Sequence, residues 1–215
     1  RGSVDEISLL YSLAQQASTA AQNLIDFSEM RRRSRIARKL QSALSEADTR
    51  DKLEEGLRLA MIMVARAVGG SGCVLKDLTH QKTTHIKTVQ EYSPEAGDED
   101  IAVAESFDGI LDDAAAKTES IVGDSEHPLL SQEAAKVVSQ FRATPLVAGE
   151  NVSGALAVYR EANSGLTKEP YAGDDAAFID LCAGIIASKL EIVQLEERAA
   201  RGEDFLQEVG SNLAR

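Results

Sequence analysis

The side chains able to do chemistry in this chain are three histidines, two cysteines and a run of carboxylates. His80, His85 and His127 do not have ligand spacing, and the five-position step from His80 to His85 puts them on opposite faces of a strand. Asp98, Asp100 and Asp108 lack the looped spacing of a calcium site, so they read as a solvated acidic surface. Cys73 and Cys182 lie far apart and form no disulfide framework; they read as small buried apolar residues. There is no Gly-x-Ser-x-Gly, no phosphate-cradling Gly-Lys-Ser/Thr and no His-Glu-x-x-His. No catalytic residue, metal ligand or cofactor is assigned, and the expectation is a protein that is not an enzyme.

The charge pattern narrows the partners. The 215 residues carry a formal net charge of −12, which disfavours general binding to nucleic-acid phosphates. Residues 88–116 contain no Lys or Arg, while Glu95, Asp98, Glu99, Asp100, Glu105, Asp108, Asp112 and Asp113 are all acidic. A phosphate bound there would depend on helix N-terminal amides. The basic block Arg31, Arg32, Arg33, Arg35, Arg38 and Lys39 has no interleaved aromatic and reads as a solvated helix face pairing with acidic residues of a neighbouring helix. Hydrophobic residues make up 43% and aromatics 4%, so a folded, mainly aliphatic core is expected. The longest apolar run, 60–68, is short and carries Arg66, so no membrane span is expected. With no export signal in view, a reducing cytoplasmic location is expected.

These residues must be positioned by a helix–body–helix arrangement. Residues 4–55 hold no Gly or Pro and are rich in helix formers. Ile7, Leu10, Ala14, Ala17, Ala21 and Leu24 alternate by three and four, the seam of a paired helix, and Ile36, Leu40 and Leu44 continue it. A second helix follows from about 49 to 68 and stops at Gly69-Gly70. Strands are expected at 72–78 and 83–92, a helix at 101–117 with Val103, Phe107, Ile110 and Leu111 inward, a short strand at 120–123 and a helix at 129–141. Strands 143–147 and 153–159 flank the turn residues Gly149-Glu150-Asn151. A last helix begins at Asp174, and Ile185, Ser188, Ile192, Leu195, Ala199, Gly202, Leu206, Val209 and Leu213 keep a heptad beat along it. The expected division is a long helix over 1–47, a body over 48–195 and a stalk over 196–215. Both outer seams outrun the body, which points to a parallel homodimer through Ile7, Leu10, Ala14, Ala17, Leu24, Ile192, Leu195, Leu206, Val209 and Leu213. A fold-back of the two helices within one chain is the alternative.

The Pro145-Leu146 strand turning back into Gly154-Ala155-Leu156, followed by the helix Asp174-Asp-Ala-Ala-Phe-Ile-Asp-Leu-Cys182, resembles the core of GAF domains over about 38–195. The resemblance implies an α/β fold with a central antiparallel sheet, helices on both faces and a pocket beside the irregular middle segments. It also implies a linked output domain joined through coiled-coil helices. Phe107, Ile110, Leu111, Val122, Phe141 and Thr144 are the pocket wall expected on this basis, with Cys73 below. Nucleotide-binding members carry Asn-Lys, Phe and Asp-Glu; here Asn163, Lys168, Phe178 and Asp180 echo that set, without adjacency of the first pair and without Glu after Asp180. Bilin-binding members use Cys-His, whereas His127 precedes Pro128 with no Cys nearby. Redox members cluster their cysteines, and this chain does not. The expected function is a regulatory sensor module that relays an unknown small ligand or signal through a helical dimer. The rival is a ligand-free dimerisation spacer, which a pocket filled by its own side chains would favour.

Overall fold

The computed structural model describes residues 2–47, 50–88, 98–162, 171 and 173–213, with side chains described at 11, 12, 14–47, 51–88, 103–162, 171 and 173–202. The chain divides into two units, 1–38 and 39–215. The first consists of most of α1 (Gly2–Ser45), whose helix is favoured by the absence of Gly and Pro after Gly2. Its side chains at Tyr11, Leu24, Ile25, Phe27 and Met30 are all exposed.

The second unit is built on a five-stranded antiparallel sheet in the order β2-β1-β5-β4-β3. Its elements are α2 (Arg50–Ala67), β1 (Gly72–Asp77), β2 (Lys82–Lys87), α3 (Asp98–Lys117), β3 (Ile121–Asp124), α4 (Gln132–Val137), β4 (Val138–Ala148), β5 (Asn151–Glu161) and α5 (Asp174–Leu213). Helices α2 and α5 pack on one face of the sheet and α3 and α4 on the other. Side-chain alternation in the strands therefore decides which helix each residue meets. The last turns of α1 belong to this unit through Leu40 and Leu44, both buried.

The β4–β5 hairpin is the longest pairing and forms where expected. Ala148 pairs Asn151 across Gly149-Glu150, and Gly149 sits at φ +61° while Glu150 does not enter positive φ, the pattern of a type II′ turn. At Gly154 a Cβ would lie 1.9 Å from the Lys76 carbonyl oxygen, so β1 and β5 pair at this register only over a glycine.

Two expectations are corrected. The helix expected over 129–141 is a single short α4, and residues 138–141 are strand. Ala134, Val138 and Phe141 fit helical spacing, and the Val138 N–H still bonds the Ala134 carbonyl as the cap of α4, but from Gln140 on the backbone pairs with β5 and β3. Sheet pairing outweighs local periodicity here. The strand expected over 83–92 ends at Lys87, and residues 89–92 lie outside the described residues.

Arg160 ties the elements together. Its buried guanidinium donates to the Val68 carbonyl at the end of α2 (3.0 Å) and lies 3.4 Å from Asp175 Oδ2 at the start of α5. It sits 4.2 Å from the centre of the Tyr171 ring. The ends of two helices are thus joined to β5 through one charged group, at a position where an unpaired charge would be costly.

Candidate functional site

The seven residues expected to line a pocket do not meet. Phe107, Ile110 and Leu111 on α3 and Phe141 on β4 share one core cluster with Val74, Val138 and Tyr159 on the α3 face. Cys73, Val122 and Thr144 have the opposite strand parity: Cys73 pairs Val158, Val122 pairs Arg142 and Thr144 pairs Leu156. Arg142 and Thr144 both reach Asp180 on α5, which fixes that face (2.9 Å from Arg142 Nη2 and 3.1 Å from Thr144 Oγ1). Val122 is 44% exposed and closes nothing.

The α3 face is occupied by its own rings. Phe107 meets Phe141 edge-on at 5.3 Å between centres and stacks on Tyr159 at 5.7 Å. His127 lies edge-on to Phe141 at 5.2 Å, and His85 stacks on Tyr159 at 5.7 Å with its Nε2 2.7 Å from the tyrosine hydroxyl. Two of the three histidines are therefore partners of aromatic residues. Lys76 leaves the sheet on this face and bonds Asp112 (2.8 Å), with Asp108 at 3.3 Å. Burial alone would lower the Lys76 pKa, but the hydrogen bonds and charges of Asp112 and Asp108 outweigh it and raise the value. Part of the acidic run on α3 is thus neutralised from the sheet.

A cleft of about 300 Å³ lies on the other face, between α2, the β1–β2 hairpin and α5. Leu53, Leu57, Leu75 and Val193 form its apolar floor. Lys82 bridges to Glu54 at one rim (2.7 Å), and Arg58 lines the same side. Asp77, the cross-strand partner of Lys82, also lines the cleft, with His80 and Glu197. The hairpin turn positions them: Asp77 Oδ1 accepts from the backbone N–H of Thr79 (2.8 Å) and of His80 (3.3 Å), a side-chain-capped turn. The Asp77 Oδ2 atom lies 2.7 Å from His80 Nδ1, and His80 Nε2 lies 3.6 Å from Glu197 Oε1. Gln194 Nε2 also donates to Thr79 Oγ1, so α5 holds the turn through this bond. The sequence reading missed this site because it placed His80 in a strand pattern; the available signal was Asp77-Leu-Thr-His80, an acceptor followed by the residues whose amides it caps.

The other expected groups are dispersed. Of the nucleotide-binding echo, Asn163 and Lys168 lie outside the described residues, Phe178 is buried, and Asp180 is engaged by Arg142 and Thr144. Both cysteines are free and buried. Burial pushes the Cys182 thiol up to about 12, and burial together with the Cys182 charge raises Cys73 further. Among the described residues no group of three or more His, Cys, Asp and Glu is placed to hold a metal ion, and no helix is long and apolar enough to cross a membrane. Along the expected dimer seam, Ala14, Ala17 and Leu24 are exposed, Ile192 is 49% and Leu195 55% exposed, and the side chains of Ile7, Leu10, Leu206, Val209 and Leu213 lie outside the described residues.

Solved structures with this fold include GAF domains. The GAF domain of an Acinetobacter phosphoenolpyruvate-protein phosphotransferase superposes with a TM-score of 0.52 at 13% identity, covering 74% of this chain and 93% of that one. The GAF domain of a protein described as a sensor histidine kinase from Pseudomonas syringae pv. tomato gives 0.52 at 18% identity, covering 80% and 96%. Free methionine-R-sulfoxide reductase from Neisseria meningitidis gives 0.51 at 15% identity, covering 76% and 91%. No family model matches the sequence, and no curated protein matches it. The fold is GAF-like, with a long flanking helix at each end.

Proposed function

We propose that this chain is a regulatory sensor module of a signal-transduction protein. Its GAF-like body biases the packing of a parallel helical homodimer, and the helices carry that bias to a covalently linked output domain. The observation that supports this most is α5. Over its first half Ile179, Cys182, Ile186 and Leu190 are buried against the sheet; one turn later the same helix presents Ile192 and Leu195 to solvent. A helix of 40 residues spans about 60 Å. A shift imposed on its buried half is delivered to an apolar seam outside the body, which is what a relay needs.

The reading takes support from GAF domains of a phosphotransferase and of a protein described as a sensor kinase having the same fold. It treats the chain as non-enzymatic: although one structural neighbour is a reductase, both thiols here are buried and held protonated, which disfavours thiolate chemistry. It also places the chain in the cytoplasm, where two unpaired cysteines stay reduced. The ring-filled α3 face favours a second reading, in which the body is a ligand-free dimerisation spacer.

The test is Leu195→Asp, with association measured by sedimentation. Burying one leucine is worth about 1.5–3 kcal/mol, and the seam holds two copies. The substitution should therefore weaken the dimer by about a hundredfold or more. An unchanged association constant would remove the helical relay from the account.

A further inference from the structure

The cleft behind the β1–β2 hairpin has the chemistry of a ligand site, and it lies on the face of the sheet opposite the ring cluster. The Asp77 carboxylate can only accept, so His80 Nδ1 must donate to it across 2.7 Å. In the neutral ring Nε2 is then an acceptor, and it faces a second acceptor, Glu197 Oε1, at 3.6 Å. That is too long for a direct hydrogen bond and too short to leave two acceptors facing each other without a donor. A donor shared between them satisfies both, and a positive one adds to the exposed pairing of the other Glu197 oxygen, Oε2, with Arg201 Nη2 at 3.8 Å. The four apolar residues of the floor begin beside this pair. The nearby cations are Lys82, cross-strand from Asp77 but bridged to Glu54 at 2.7 Å, and Arg58 on α2. A volume of about 300 Å³ is at the lower end of small-molecule sites.

We infer that this cleft binds a small primary amine, its ammonium shared by His80 Nε2 and Glu197 Oε1 and its apolar body lying on Leu53, Leu57, Leu75 and Val193. The inference deepens the sensor reading and rests on it for its consequence. Glu197 and Val193 belong to α5, Asp77 and His80 to the β1–β2 hairpin, and Leu53 and Leu57 to α2. An occupant therefore clamps the outgoing helix to the body just beyond the point where it leaves the core.

The experiment titrates the full chain at pH 7.5 with 3-methylbutylamine, 3-methylbutanol and 4-methylpentanoate, which share one apolar body and differ in the head group. The readout is the ¹⁵N shift of the His80 imidazole, with sedimentation run on the same samples. The amine should move the His80 signals saturably, while the alcohol and the carboxylate bind at least tenfold more weakly. Glu197→Gln, at a half-buried helix position, should weaken the amine at least tenfold, and His80→Gln should abolish its preference over the alcohol. Equal response to all three compounds, or none, overturns the inference. So does an imidazole already doubly protonated and unmoved by the amine, because Glu197 is then answered by His80 itself. Loss of amine binding with the dimer intact sinks this inference alone, whereas amine binding to a monomer sinks the relay alone.

Discussion

Truncating Phe107 to alanine separates a packed α3 face from an open chamber. The ring is fully buried and lies between Phe141 at 5.3 Å and Tyr159 at 5.7 Å. Returning it to water costs about 1.5–3 kcal/mol. Each aromatic contact adds about 0.5–1.5 kcal/mol. The sum, about 2.5–6 kcal/mol, brackets the 3–5 kcal/mol typical of such truncations. Against a total stability of about 5–15 kcal/mol this is a large share. In urea, followed by far-UV circular dichroism, a loss of about 4 kcal/mol with a slope near 2 kcal/mol/M lowers the midpoint by about 2 M. The slope itself should not change. Benzene should recover part of the loss, since an apolar hole of that kind stays dry and accepts it. A midpoint shift below about 0.5 M would refute the reasoning, because the ring would then border space and not side chains.

Further outcomes follow from the same geometry. Gly154→Ala should destabilise by about 3 kcal/mol or more, the upper end of overpacking costs, because its Cβ meets the Lys76 carbonyl and backbone cannot rotate away; wild-type thermal stability would contradict this. Stability should also fall at alkaline pH. Cys182 is raised from 9.0 to about 12 and Cys73 is raised too, so above pH 9 the unfolded chain releases protons that the folded chain keeps. The slope is about 1.4 kcal/mol per pH unit for each thiol. Lys76 and Tyr171, both raised, act in the same direction at higher pH. Cys182→Ala should make the alkaline limb shallower, and identical limbs in the two proteins would contradict the assignment.

Much of the scaffold was legible in the sequence because its signals are local. The absence of Gly and Pro over 4–55 marks α1, and Gly149-Glu150 between two alternating runs marks the β4–β5 hairpin. The candidate site was less legible because it depends on faces. Phe141 was read as the end of a helix, so its strand parity, opposite to that of Thr144, could not be used. Cys73 was placed below Phe107, yet its neighbours on the sheet face α2 and α5. The cleft depends on residues 117 positions apart: nothing near His80 announces that Glu197, on the last helix, will stand 3.6 Å from its ring.

The claim on which the rest depends is that exposed seams such as Ile192 and Leu195 pair two copies of this chain. A native mass spectrum of the purified protein tests it most directly. The account predicts a species of twice 23.1 kDa that reverts to the single chain in Leu195→Asp. A wild-type protein that stays at the single-chain mass at micromolar concentration would contradict it.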